Sequence, residues 1–326
     1  MADITKLRNL TSAGLMDCKK ALAETDGDIE AAVEILRKKG QAVAAKREDR
    51  EASEGCVLAK HEGTFAAIVA LNCETDFVAK NAGFVALTKE ILDAAVANTV
   101  KSLDDLKALQ INGRAIADLI VEEVGKTGEK MEIGAYEWIE APATTSYNHQ
   151  GNKLATICGF NSADVDPKVA RNVAMQVASM NPVAVNREAV APETIETEKS
   201  VAIEKTKQEQ VQKAVNSALS KAGINPAHVD SEAHIESNMS KGWITPEQAE
   251  QARKIIAEVG AQKAANLPQQ MIDNIVAGRI NKYYKENCLV EQEYIMDGNL
   301  TVGQYLEQSQ KGLTVVSYKR VNLNQD

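Results

Sequence analysis

Apolar residues recur at helical spacing from the start of the chain. Ile4, Leu7 and Leu10 mark a first helix, Leu15, Cys18 and Leu22 a second, and Ile29, Ala32, Val33 and Leu36 a third. Thr11 or Ser12 can cap the second helix and Asp28 the third, while Asp26-Gly27-Asp28 is a turn signal and Gly40 is placed to end the third helix. The pattern predicts a three-helix domain over residues 1–40. Its core is marginal for a unit of this size, so it needs compact packing or a neighbour. Residues 41–54, charged and Ala-rich, read as a linker or an exposed helix.

From Gly55 the period becomes that of strands. CVLAK and FAAIVAL flank His61-Glu62-Gly63-Thr64, a hairpin with a glycine turn. A polar break, Asn72-Cys73-Glu74-Thr75-Asp76-Phe77, comes next. A long helix is predicted from about Val78 to Ala97 and helical structure over 102–126, then strands over 131–139 and 153–160. Residues 154–161 echo residues 65–72: Ala66/Ala155, Ile68/Ile157 and Asn72/Asn161 are identical, and each segment precedes a helix. This points to two related strand-to-helix units. The second copy has Asp164-Val165-Asp166-Pro167 where the first has Thr75-Asp76-Phe77-Val78, so the aromatic belongs to one copy.

Residues 192–285 are helical and strongly polar. The stretch from Pro192 to Gly223 is too charged to be buried on all sides, and Gly223-Ile224-Asn225-Pro226 breaks it. Thr245-Pro246-Glu247-Gln248 combines an N-cap, a proline at the first helical position and a glutamine for a capping box. Helices follow to about Ala261 and from Pro268 to Tyr284. Residues 300–308 read as a helix and 313–322 as a closing strand. The fold class is therefore α+β. A three-helix domain precedes a two-part core with antiparallel sheets, over 55–140 and 141–326, and a coiled-coil-like antiparallel helical arm is inserted at about 193–266.

Composition narrows the partners. Of 326 residues, 44% are hydrophobic and 25% charged, the ordinary balance of a globular chain. The net charge of −9 argues against nucleic acid, whose binders present basic faces. Lys38, Lys39, Lys46 and Arg47 form the densest basic group, which reads as a solvated helix face. No apolar run approaches the about 18 residues of a membrane span, and MADITKLRNL has no signal-peptide pattern. Five scattered cysteines form no C-x-x-C pair, so neither a disulfide framework nor a zinc site is expected, and a reducing, cytoplasmic setting is.

No catalytic constellation emerges. Gly125-Lys126-Thr127 resembles the end of a phosphate-binding loop, but Ile120 stands where the motif needs glycine. His228, Asp230, Glu232 and His234 lack the spacing of a metal site and read as an exposed loop. No nucleophile, base, cofactor site or metal site is nominated. Two specific segments remain. Ser12-Ala13-Gly14-Leu15-Met16-Asp17-Cys18-Lys19-Lys20-Ala21-Leu22 and Thr75-Asp76-Phe77-Val78-Ala79-Lys80-Asn81-Ala82-Gly83-Phe84 resemble the two signatures of the elongation factor Ts family, at a fitting separation. Thr301-Val302-Gly303-Gln304-Tyr305-Leu306 is a looser third match. The resemblance spans roughly residues 1–190 and 267–320.

The resemblance implies a ubiquitin-associated-like three-helix domain ahead of an α+β core with a projecting helical hairpin. It also implies a non-enzymatic function: accelerating GDP release from elongation factor Tu, which is bound in its GDP-bound and nucleotide-free forms, with no cofactor. Asp76 and Phe77 match the pair that enters the partner's G domain, where the phenylalanine wedges between helices and disturbs the Mg²⁺ site, with Thr75 and Val78 flanking. Leu15, Met16 and Lys19, in the first signature, are expected to add contacts. So is His149, in Ser146-Tyr147-Asn148-His149, which resembles a segment near the same G domain. By spacing alone Phe77 is either a projecting side chain or the first core residue of the next helix. Beside the exchange factor that the resemblance implies stand a binding adaptor that uses its helical domain and an enzyme of unknown type, the last disfavoured by the missing catalytic constellation. The arm is longer than the hairpin the resemblance implies, and no C-terminal helical extension follows residues 313–322.

Overall fold

A computed structural model describes residues 2–11 and 13–324 of the chain. The chain divides into two compact units, Met1–Val185 with Leu289–Asp326, and Asn186–Cys288.

The first unit opens with α1 (Ala2–Thr11), α2 (Leu15–Glu24) and α3 (Ile29–Lys46) around Leu7, Cys18, Ala21, Leu22 and Ala32. Asp28 caps α3 by accepting from the Ala31 N–H at 3.0 Å, and Asp26 and Gly27 make the turn with φ of 50° and 88°. Three local expectations change. Leu15, the first residue of α2, is 55% exposed and is not part of the buried core. Gly14 occupies the N-cap of α2 without a side-chain hydrogen bond, while the Thr11 hydroxyl donates back to the Leu7 carbonyl; Ser12 lies outside the described residues. Gly40 is buried inside α3, which runs on to Lys46.

The first sheet is antiparallel. β1 (Glu54–Glu62) and β2 (Phe65–Cys73) form the predicted hairpin. The helix predicted from Val78 is interrupted. A single turn, α4 (Asp76–Ala79), is followed by α5 (Ala82–Ala97), because Asn81 accepts from the Gly83 N–H and starts a new helix. The helical stretch over 102–126 is likewise split into α6 (Leu103–Ala108) and a later helix. Between them β3 (Gln110–Ile111) and β4 (Arg114–Ala115) pair across Asn112 and Gly113, with φ of 52° and 77°. Positive φ at both positions is what the tightest hairpin turn requires, and Asn-Gly is its preferred dipeptide. The later helix is α7 (Ile116–Thr127). It crosses α3, where a Cβ on Gly40 would stand 3.0 Å from the Val121 carbonyl oxygen. Gly40 thus serves close approach between helices, not termination. β5 (Met131–Glu140) completes the sheet on the far side of β2.

The second sheet repeats this plan. β6 (Ala143–Asn148) and β7 (Leu154–Phe160) form a hairpin, and α8 (Pro167–Met180) follows it. The starts of β6 and β7 lie 89 residues after those of β1 and β2, the offset of the sequence echo. The two sheets bury small and branched residues against each other, with Val57, Ala59, Ala66, Ile68 and Ala70 meeting Ala155 and Ile157. The alternate β2 residues, Phe65, Ala67, Val69 and Leu71, share a core with Phe84, Ile91 and Ala95 of α5. β2 is covered on both faces, which is why it reads as an unbroken apolar run.

The second unit contains α9 (Pro192–Lys221), α10 (Glu232–Ser240), α11 (Pro246–Ala265) and α12 (Gln269–Asn287), with α11 and α12 both against α9. The predicted capping box at Thr245 and Gln248 is formed. One apolar cluster joins Val215, Leu219, Ile224, Ile235 and Ala252, and a second joins Ala202, Ile272 and Val276. The chain then returns to the first unit through β8 (Glu293–Tyr294), β9 (Asp297–Thr301) and α13 (Val302–Ser309), itself started by a Thr301–Gln304 capping box. β10 (Val315–Asn322) pairs with β7 opposite β6. Each sheet therefore places the second strand of a hairpin at its centre, with several helices in the chain between that strand and the third.

Candidate functional site

Phe77 is 85% exposed, more than any other large apolar side chain among the described residues. It sits on α4, a helix of four residues between the end of β2 and Asn81. The reading of Phe77 as a core residue is thereby excluded: the buried aromatic at the start of the following helix is Phe84. Val78 is half-buried against the β2–α5 core and Ala79 is buried, so the turn is anchored on the side opposite Phe77.

Thr75 is the N-cap of this turn. Its hydroxyl accepts from the Val78 N–H at 3.5 Å and donates to Glu129 Oε1 at 2.6 Å, while its own N–H donates to Glu129 Oε2 at 3.0 Å. Glu74 accepts from the Lys130 N–H at 2.6 Å and from Arg47 Nη1, which lies 3.1 and 3.2 Å from its two oxygens. Below the turn, the Cys73 thiol faces the Thr75 carbonyl at 3.2 Å. Burial pushes that thiol up to about 12, with the Glu129 charge adding to the effect.

Asp76 is on the outer side of the turn and takes a 2.6 Å hydrogen bond from Lys80 Nζ, one helical turn on. That bond holds the Asp76 carboxyl below the ordinary aspartate range, and the charges of Lys80 and Lys153 act in the same sense. Lys153 precedes β7 and pairs with Glu54 of β1 at 2.7 Å. The β6–β7 turn thus lies within electrostatic reach of the tip.

His149 is in that turn, exposed, with Nδ1 2.9 Å from the Tyr147 hydroxyl. Leu15 and Met16, 55% and 73% exposed, lie with exposed Lys19 in the first turns of α2, whose buried residues are Cys18, Ala21 and Leu22. The candidate residues therefore fall into three surface groups: one turn at residues 75–78, the first turns of α2 and one loop position.

Four residues at the base of the tip escape sequence reasoning: Arg47, Glu74, Glu129 and Lys130. Glu74 falls in the polar break and Arg47 in the basic group read as a solvated face, but neither reading places them together. Gly128, in the left-handed conformation at the end of α7, is the one local sign that the chain turns sharply just before Glu129.

Among the described residues no group of three or more His, Cys, Asp or Glu side chains could hold a metal ion, and no helix is long and apolar enough to cross a membrane. A rigid base presents one large apolar side chain, and a carboxylate–ammonium pair stands beside it.

A family model described as "Elongation factor TS" matches residues 74–325. Proteins of the same description are similar over nearly the whole chain. One from Parabacteroides distasonis is 60% identical over 99% of this chain and 98% of its own length. Others from Phocaeicola vulgatus and Porphyromonas gingivalis are 59% and 44% identical over the same shares.

Proposed function

We propose, on the premise that this chain belongs to the elongation factor Ts family, that the turn formed by Thr75, Asp76, Phe77 and Val78 delivers its exchange activity. The chain is a guanine nucleotide exchange factor for elongation factor Tu and not an enzyme. The observation that carries the assignment of the turn is the 85% exposure of Phe77 on a base that is itself tied down. An exposed phenylalanine costs solubility unless a partner receives it.

In this reading Phe77 inserts between helices of the G domain of elongation factor Tu, and Asp76 stands beside it. The insertion displaces the region that holds Mg²⁺. The ion bridges GDP to the partner, so moving it weakens the nucleotide. Val78 anchors the turn and Thr75 starts it.

The wedge does not act alone. Burying one phenylalanine yields about 1.5–3 kcal/mol. Moving a two-state equilibrium from 99:1 to 1:99 takes about 5.5 kcal/mol of differential affinity. The remainder comes from docking elsewhere, and Leu15, Met16, Lys19 and His149 are assigned to it. All four are exposed. Coupling is reciprocal, so GDP weakens binding of this chain by the factor by which this chain weakens GDP.

Release of fluorescent GDP from elongation factor Tu, followed by stopped flow, tests the assignment. Wild-type chain accelerates release, and Phe77→Ala lowers the acceleration about ten- to a hundredfold, the equivalent of the burial lost. Full acceleration by Phe77→Ala removes the wedge.

A further inference from the structure

We propose that Glu129 is a positioning residue for this tip: its carboxylate fixes the direction in which Asp76 and Phe77 leave the scaffold. The inference rests on the assignment of residues 75–78 as the working turn.

A four-residue helix cannot hold its own shape, because helix formation gains only after a costly first turn. The internal cap of α4 is weak, with 3.5 Å between the Val78 nitrogen and the Thr75 hydroxyl. The strong contacts come from outside the turn. Glu129 takes the Thr75 hydroxyl on one carboxylate oxygen, at 2.6 Å, and the Thr75 N–H on the other, at 3.0 Å. A hydroxyl bond fixes the Thr75 side chain; an N–H bond fixes the peptide plane ahead of it. Together they set the frame from which the next two residues project, and bonds to a carboxylate are the strong class.

The same loop also holds the preceding residue. Lys130, next to Glu129, gives its N–H to Glu74 at 2.6 Å, and Arg47 holds the same carboxylate. Two consecutive loop residues thus clamp two consecutive tip residues. Glu129 is only partly exposed and touches the Thr75 cap, not Phe77. Its effect on exchange is through preorganisation: a wedge already aimed loses little freedom on entering its partner.

Stopped-flow release of fluorescent GDP from elongation factor Tu, titrated with full-length chain, separates the maximal rate from the half-saturating concentration. Glu129→Gln keeps the volume but replaces one acceptor by a donor. It lowers the maximal rate roughly tenfold, the equivalent of one lost charge-assisted bond, while the half-saturating concentration stays within about twofold. Thr75→Val, which removes the hydroxyl from the other side of the same bond, gives the same split even if Glu129→Gln folds poorly. The double variant Thr75→Val/Glu129→Gln is no slower than the slower single variant, and Glu129→Gln has no further effect in a Phe77→Ala background.

A full rate for both Glu129→Gln and Thr75→Val, with Phe77→Ala impaired, overturns the role of Glu129 and leaves the wedge standing. Multiplicative losses in the double variant overturn it too, because Glu129 then acts elsewhere. A full rate for Phe77→Ala overturns the underlying assignment instead.

Discussion

Gly40 and Gly125 lie back to back where α3 crosses α7: a Cβ added to Gly125 would stand 2.9 Å from the Gly40 Cα, closer than side chains and backbone approach in folded proteins. In most helices glycine is a liability relative to alanine, by about 1 kcal/mol. Here it is the condition for the two backbones to meet.

The crossing therefore predicts opposite signs for one type of substitution. Gly125→Ala forces the helices apart and destabilises the chain by about 1–3 kcal/mol, as overpacking does. Gly278→Ala, in the exposed middle of α12 with nothing within 4 Å of the added methyl, stabilises by about 0.5–1 kcal/mol. Denaturant unfolding of the two variants checks this, and equal signs would contradict the reading of Gly125 as a contact glycine.

Asp76 is held below its ordinary range first by the hydrogen bond from Lys80 and then by the charges of Lys80 and Lys153. Lys80→Ala removes the bond and the nearer charge, so the Asp76 carboxyl then titrates at higher pH. Lys153→Ala moves it the same way by less. A carboxyl-detected NMR titration reads both shifts. An unmoved midpoint in Lys80→Ala would show that the pair does not persist in solution.

All five thiols, Cys18, Cys56, Cys73, Cys158 and Cys288, are buried. Burial pushes Cys56 up to about 11 and Cys73 up to about 12, and raises Cys158 as well. The thiolate is the reactive form, so a disulfide reagent at neutral pH modifies the native chain slowly and the unfolded chain at five sites. Rapid stoichiometric labelling of the folded protein would show that one of these positions opens.

Leu219 is 1% exposed and packs with Val215, Ile224, Ile235 and Ala252, all within Asn186–Cys288. Leu219→Ala removes about 2–5 kcal/mol from that cluster. Native-state hydrogen exchange checks where the loss falls. Protection drops in α10, in α11 and at the end of α9, and is retained in β2. A uniform loss across the chain would mean that the two compact units unfold together.

Much of the fold is legible because its determinants are local. The β1–β2 hairpin follows from alternation around Gly63, α3 begins where Asp28 can accept from Ala31, and the Thr245–Gln248 box forms as its spacing requires. The sequence echo reflects a real similarity of plan, with β2 and β7 both central strands. Local signals overlooked in longer patterns account for two differences. Asn81 restarts a helix expected to be continuous from Val78, and Asn112-Gly113 turns the chain inside a stretch expected to be wholly helical.

The sequence by itself determined most of the helices and the strands of both sheet centres, and, through Thr75–Phe84, the family to which the chain belongs. Those properties arise from neighbours a few residues apart, whose spacing repeats and can be read. Only the tertiary structure decided that Gly40 marks a crossing and not an end, that Leu15 faces outward, and that Phe77 is exposed. It alone brought Glu129 to Thr75, 54 residues away, and Arg47 to Glu74, 27 residues away. Such pairs depend on how whole helices and sheets pack, so neither periodicity nor capping chemistry leaves any trace of them in the order of residues.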